Sequence, residues 1–205
     1  MERLYGERGA RIYDITTRLS GYRGYYRAAL SAANVPREGA VLDVGCGTGM
    51  FGAALAEHGR YDIVGVDLSP AMLRIAEENV PSASLYRGDA FHLDEAVPFD
   101  HEGGPLTDRK YDLVVTAGML EYLDSPERAL EEMLRLAKPG GSIIVTMIRN
   151  NLVGNIASKL YRFTLLDTSI LQGADADVEE IRLPASYRNA YLRTLKQSHL
   201  LEKRR

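Results

Sequence analysis

Several things are scarce in this 205-residue chain, and each scarcity excludes a class of protein. There is one cysteine, Cys46, which cannot close an intramolecular bridge, so nothing requires an oxidising compartment. No apolar run approaches the roughly 20 residues that span a bilayer. The first residues, Met1-Glu2-Arg3-Leu4-Tyr5, lack the apolar stretch of a signal peptide. A cytoplasmic protein is expected. The four histidines, His58, His92, His101 and His199, show no metal-ligand spacing, so no metal site is expected. Positive charge is not in excess either: the net charge is −3, which argues against a nucleic-acid binder. Repeats and low-complexity segments are missing. With 45% hydrophobic and 26% charged residues, the chain has the balance of a globular protein of one domain.

The charge is unevenly spread. Residues 1–40 carry seven Arg against four acids, and 182–205 carry seven bases against Glu202 alone. The middle, 41–148, holds eight bases and 18 acids. Basic ends suit an anionic substrate or a lipid surface, and equally the solvated faces of helices.

Four β-branched runs punctuate that middle: Val41–Val44, Ile63–Val66, Leu113–Val115 and Ile143–Val145. Bounded by Gly, Asp or Pro, they predict buried parallel strands, with a weaker strand at Ser84–Tyr86. Helical spacing separates them over Met50–His58, Pro70–Asn79 and from Pro126 to Ala137. Ser69-Pro70 and Ser125-Pro126 are helix starts, and Pro139-Gly140-Gly141 is a stop. Strand and helix in alternation predict a doubly wound α/β sheet. Outside that alternation, 1–35 read as amphipathic helix and 94–109 as a polar loop. Residues 150–181 read as a helical stretch followed by an acidic loop at Ala174–Glu180.

The first strand runs into Asp43-Val44-Gly45-Cys46-Gly47-Thr48-Gly49 and then a helix. Glycines permit the tight turn, and the helix N-terminus offers free N–H groups. Gly47-Thr48-Gly49-Met50-Phe51-Gly52 is a literal G-x-G-x-x-G, by itself a weak sign of a dinucleotide. Asp67 ends the second strand, where a carboxylate can accept from both ribose hydroxyls of an adenosine. Asp43 points away from a dinucleotide: beneath the loop crest it would repel a pyrophosphate, whereas it suits an ammonium or sulfonium.

These residues carry a resemblance. Asp43–Gly49 is similar to the first motif of class I S-adenosylmethionine-dependent methyltransferases, and Val66–Leu73 to the second. Gly88-Asp89-Ala90 resembles the third, Tyr111–Val115 the fourth, and Leu136–Gly141 the signature before strand five. Together they cover about residues 38–148. The resemblance implies a Rossmann-like sheet with an N-terminal helical cap over 1–37. It implies a cofactor-binding core over 38–148, and substrate-side helices with the last strand over 149–205. It also implies S-adenosylmethionine as cofactor. Asp43 would then hold the methionine amino group, with Gly45 and Gly47 packing against the cofactor. Asp67 would bind the ribose, Leu68 and Met72 would line the adenine, and Asp89 and Ala90 would reach its amino group and ring. Ala117 and Gly118 would lie near the methyl group, and Tyr13 would form a pocket wall with Tyr5. Read singly, Asp67 is equally a helix-capping acid, Asp89 a turn residue, Met72 a core residue and Cys46 a small buried apolar group.

Methyl transfer from a sulfonium needs alignment and exclusion of water, and a base only if the acceptor must lose a proton. Glu121 is the first candidate base and His92 the second, with a solvated carboxylate the plainer reading of Glu121. Tyr13–Arg23 is similar to the entry segment of the ubiquinone/menaquinone-biosynthesis C-methyltransferase branch, and Leu183–Ser186 to a later motif of it. A small-molecule or lipid-like acceptor follows from that resemblance. Leu152, Ile156, Leu160 and Phe163 share one helical face that would line an apolar pocket, touch a membrane or pack in the core. A nicotinamide-dependent reductase and a non-catalytic cofactor-binding regulator are the competing readings. The family's sheet ends in an antiparallel hairpin. Here 186–197 read as helix and 199–205 as one strand, so the hairpin is expected to be incomplete: either the chain is trimmed, or its sixth strand pairs differently, or another chain, as in a homodimer, covers the open edge.

Overall fold

The computed structural model describes residues 6–148, 155, 156, 158, 159, 162–171, 176–181 and 190–197, the last two segments as backbone only. Two helices lead, α1 (Glu7–Leu19) and α2 (Tyr22–Ala32). Then follow β1 (Glu38–Val44), α3 (Met50–His58), β2 (Arg60–Asp67), α4 (Pro70–Asn79), β3 (Ser84–Asp89) and β4 (His92–Pro98). After these come β5 (Tyr111–Ala117), α5 (Pro126–Leu136), β6 (Ala137–Ile148), β7 (Ala176–Ile181) and β8 (Ala190–Gln197). The eight strands form one sheet in the order β4-β3-β2-β1-β5-β6-β8-β7. Neighbours from β3 to β6 are parallel, while β3–β4, β6–β8 and β8–β7 are antiparallel.

The strand period of two builds both cores. Leu42, Val44, Val64, Val66, Val114, Ile143 and Val145 face one way, against Ala129, Leu130 and Met133 of α5. Val41, Ile63, Leu113, Val115 and Ile144 face the other way, against Tyr25, Tyr26 and Leu30 of α2 and Phe51, Ala54 and Leu55 of α3. Asp43 has the parity of Val41 and so turns toward the helices α2 and α3. The chain leaves β1 outward through β2 and β3, then crosses back to β5 on the other side. That reversal opens a crevice at the carboxyl ends of β1 and β5.

Helix starts follow their chemistry. Ser69 caps α4, its hydroxyl accepting from Met72 N at 3.3 Å, with Pro70 in the first turn. Ser125 precedes Pro126 in the same way but makes no side-chain cap.

Three expectations are corrected. Residues 94–98, read as the start of a polar loop, belong to β4 (His92–Pro98), which buries only Leu93 and Ala96 and carries Asp94 and Glu95 outward. The acidic segment at 174–180 is largely β7, an edge strand, where charge is compatible with pairing on one side. Residues 190–197, read as helix, are β8, paired with β6 from Ser142↔Lys196 to Ile148↔Ala190. The hairpin is therefore complete, with β8 inserted between β6 and β7, and it covers the edge of β6. The proposed strand at 199–205 and the Leu183–Ser186 motif lie outside the described residues, as do Leu152 and Leu160 of the apolar stripe. Of its remaining members, Ile156 is exposed and Phe163 is buried.

Candidate active site

The loop after β1 turns through left-handed backbone at Gly45 (φ 72°) and Gly47 (φ 54°). It is tied to β2, because Gly45 N and Cys46 N both donate to Val66 O, at 2.8 and 3.0 Å. A Cβ on Gly45 would fall 2.4 Å from Met119 Cγ. On Gly47 it would meet nothing within 4 Å, because that face opens into a cavity. Cys46 is buried against Leu73, Ala76 and Leu85, as a small apolar residue, and burial pushes its thiol up.

Two cavities meet over this loop. The smaller, about 30 Å³, is lined by Tyr13, Thr17, Tyr26, Asp43, Thr48, Met50 and Phe51, among others. The larger, about 690 Å³, runs past Val44, Val66, Asp67, Leu68, Met72, Asp89 and Ala90 to Gly118, Met119, Tyr122 and Leu123. Tyr13, Gly45, Gly47 and Ala117 line both and mark their junction.

Asp43 is at the small end. It is 1% exposed, and neither carboxylate oxygen has a hydrogen-bond partner among the described residues. Burial, with the Asp67 charge adding to it, pushes its carboxyl up to about 8. Such an orphaned carboxylate is costly unless a ligand completes it, and the ligand must bring the positive charge. Asp67 is differently placed. Its Oδ2 accepts from Gly47 N at 2.9 Å and its Oδ1 from Ser69 N at 2.8 Å, while burial still raises its carboxyl above the usual range. The capping role and the cavity-lining role coexist in one side chain. Asp89 likewise closes a turn, its Oδ1 accepting from Phe91 N at 2.9 Å, while lining the large cavity.

Helix α1 roofs the junction. Ala10 packs on Ala71, Met72 and Ile75 of α4. Buried Asp14 accepts from Arg18 Nε at 2.8 Å and from Asn79 Nδ2 at 2.9 Å. The same Asn79 amide donates to Thr48 O in the glycine loop at 2.7 Å, and Arg18 also donates to Asn79 Oδ1. Roof, α4 and loop are thus one hydrogen-bonded unit. It carries Tyr13, which reaches the site from α1.

The two candidate bases are not brought to these cavities. His92 is exposed at the start of β4. Glu121 is 2% exposed in the turn Leu120–Tyr122, where its Oε1 accepts from Ile148 N at 2.9 Å and its carbonyl from Thr164 N at 2.9 Å. Its Oε2 has no partner among the described residues, and burial raises its carboxyl. Of the other sequence-derived residues, Tyr13, Asp43, Gly45, Gly47, Asp67, Leu68, Met72, Asp89, Ala90, Ala117 and Gly118 all line one or both cavities. Tyr5 lies outside the described residues. Thr17, Tyr26, Thr48, Met119, Tyr122 and Leu123 line the cavities without having been singled out for the site from the sequence. Thr17 and Thr48 fall inside the segments Tyr13–Arg23 and Asp43–Gly49, and Met119, Tyr122 and Leu123 stand within two residues of Glu121.

The sequence matches a family described as methyltransferase domain over residues 42–145, just over half of the chain. It is 32% identical over 136 residues to the demethylmenaquinone methyltransferase of Renibacterium salmoninarum, covering 65% of this chain and 52% of that protein. It is 29% identical over 126 residues to the ubiquinone biosynthesis O-methyltransferase of Coxiella burnetii, covering 62% and 48%. The chain spans about half the length of these curated relatives. Among solved structures, a possible histamine N-methyltransferase from Thermotoga maritima superimposes with a TM-score of 0.70 at 20% identity, covering 97% of this chain and 100% of that one. The magnesium protoporphyrin IX methyltransferase from Synechocystis, solved with bound S-adenosylhomocysteine, gives 0.64 at 18% identity, covering 91% and 86%. At such identities these two show the shared fold.

Proposed function

Because the chain belongs to the methyltransferase domain family, we propose that it transfers a methyl group from S-adenosylmethionine to a small, lipid-like acceptor of the quinone-precursor type. The observation that carries this reading is Asp43. A fully buried carboxylate, unpartnered among the described residues at the closed end of a chamber, calls for a cationic ligand end. The open face of Gly47 leaves the space such a ligand needs. A dinucleotide pyrophosphate would instead set more negative charge beside Asp43 and Asp67.

The cofactor, when bound, supplies a methyl group already activated by the sulfonium charge. The chain's own residues do the rest. Asp43 holds the ammonium end, and Asp67 accepts from the ribose hydroxyls through lone pairs not used by Gly47 N and Ser69 N. Leu68, Met72 and Ala90 flank the adenine, and Asp89 takes its amino group. Ala117 and Gly118 lie beside the methyl-bearing part. Met119, Tyr122 and Leu123 form the apolar acceptor end, and Tyr13 closes the junction to water. Alignment and water exclusion account for the rate. A phenolic or ring-carbon acceptor gives up one proton on methylation, and with Glu121 and His92 away from the cavities that proton passes to solvent water at the acceptor end. Glu121 acts as a positioning residue: it anchors Ile148 N and Thr164 N and so holds the turn that presents Tyr122. The quinone-type acceptor is supported by the two curated relatives and by the apolar lining of the acceptor end.

Thermal-shift titration with S-adenosylhomocysteine and with NADH tests the cofactor, and stabilisation by NADH alone overturns the reading. Labelled-methyl transfer to quinone precursors tests the acceptor. Cofactor binding with no turnover on any acceptor pool would identify a non-catalytic binding protein instead.

A further inference from the structure

Helix α1 is inside out. Its buried face is Ala10, Asp14 and Thr17, and its outward face carries Ile12, Ile15 and Leu19, which are 63%, 56% and 84% exposed. The spacing i, i+3, i+7 puts all three in one stripe along the helix. Nothing among the described residues covers it, and a contiguous aliphatic stripe on a polar-cored helix marks a surface with a partner.

We propose that this outward face of α1 docks on the surface of an anionic phospholipid bilayer. The charge around the stripe selects that partner. Arg8 lies in line with the stripe, and Arg11 and Arg18 border it on one side, giving the aliphatic-plus-basic arrangement of a helix that lies in a membrane interface. Arg8 has no ion pair among the described residues. Arg11 meets Glu78 only at 3.7 Å with both side chains exposed, a contact easily exchanged for a phosphate. Arg18 is held by Asp14, and the helix's other acid, Glu7, is paired with Arg74 at 3.0 Å. Residues 6–35 carry five Arg against two acids, although the whole chain is net negative. Position agrees with charge. Gly6 and Tyr13, at the start and middle of the same helix, line the large cavity, and Leu68 on that cavity is 61% exposed. A bilayer against α1 would thus adjoin the cavity through which an apolar acceptor enters.

The docking face stands on the helix alone, so its test is read separately from methyl transfer. The full chain is co-sedimented with phosphatidylcholine vesicles, with and without phosphatidylglycerol. The comparison is with the triple variant Ile12→Ser, Ile15→Ser, Leu19→Ser, whose changes are all solvent-exposed. Pelleting with the anionic vesicles, weakened by salt and reduced roughly tenfold or more in the variant, supports the proposal. S-adenosylhomocysteine must stabilise both proteins equally, which shows that the variant is folded. No pelleting with anionic vesicles, or equal pelleting of the variant, overturns it. So does light scattering that shows a dimer which the variant dissociates, since the stripe would then be an interface between copies of the chain.

Discussion

Asp43 and Asp67 stand two and 22 residues from Gly45, on neighbouring strands, yet their surroundings make them different acids. Asp67 is satisfied by backbone N–H groups, whereas Asp43 has no partner among the described residues and is raised by burial to about 8. A raised carboxyl binds more protons in the folded state than in the unfolded one between about pH 4 and 8. Its stabilising contribution is therefore complete below about pH 4 and is lost as the pH climbs to 8. Urea titrations should show Asp43→Asn flattening that fall relative to the wild type; identical slopes would refute the assignment. An ammonium seated on Asp43 must displace the proton. Affinity for S-adenosylhomocysteine should thus rise by up to about tenfold per pH unit between about pH 6 and 7.5. Calorimetry in buffers of different ionisation enthalpy should report one proton released. For Asp67→Ala the expected loss is about 1–3 kcal/mol of cofactor binding, and an unchanged dissociation constant would contradict the ribose role. Both acids were legible in the sequence because their placement is local, set by a strand end and a glycine turn. Tyr26, Thr17 and Met119 were not, since each reaches the site from a different element.

At the scale of elements, α1 shows what a periodic pattern leaves open. The spacing predicts an amphipathic helix, and the helix is there, but the polar side is the one that turns inward. The reason is tertiary: Asn79 at the end of α4, its amide also donating to the Thr48 carbonyl, offers Asp14 a hydrogen-bond donor that an aliphatic stripe could not use. Replacing Asn79 with Ala should leave buried Asp14 short of a donor, at a cost of about 1–3 kcal/mol. Amide exchange over residues 7–19 should quicken and cofactor binding should weaken; unchanged exchange would show that the network does not latch the roof. The strand β4 was missed for a related reason. Two buried side chains in seven leave no alternation to read, and its pairing with β3 shifts register between Arg87 and Asp89. Gly45→Ala should lower the melting temperature by a shift that a surface glycine would not show. The added methyl meets Met119 and the φ of 72° is unfavourable for alanine.

For the whole molecule the sheet order decides the outcome. The parallel strands were recognisable one by one, as short β-branched runs between glycines and acids. Their order placed the ends of β1 and β5 side by side, and that adjacency makes the crevice. The hairpin of β7 and β8 was misread because an acidic segment and a mixed polar one carry little strand signal until they pair. Pairing with β6 supplies what their composition lacks. A chain truncated after Ile148 should expose the β6 edge and self-associate; a monomer on size-exclusion chromatography would show that the hairpin does not protect that edge. Cofactor product at about 100 times its dissociation constant should stabilise the intact protein by about 2.7 kcal/mol.

The sequence by itself determined the parallel strands, the glycine turn and the acids that flank it, because these depend on neighbours within a few residues. Only the tertiary structure decided which face of α1 looks outward, which tyrosines line the cavity beside Asp43 and how the sheet's last edge is closed. Those depend on contacts between segments far apart in the chain, where the cost of a buried polar group or an open strand edge is settled by whatever partner the fold brings alongside.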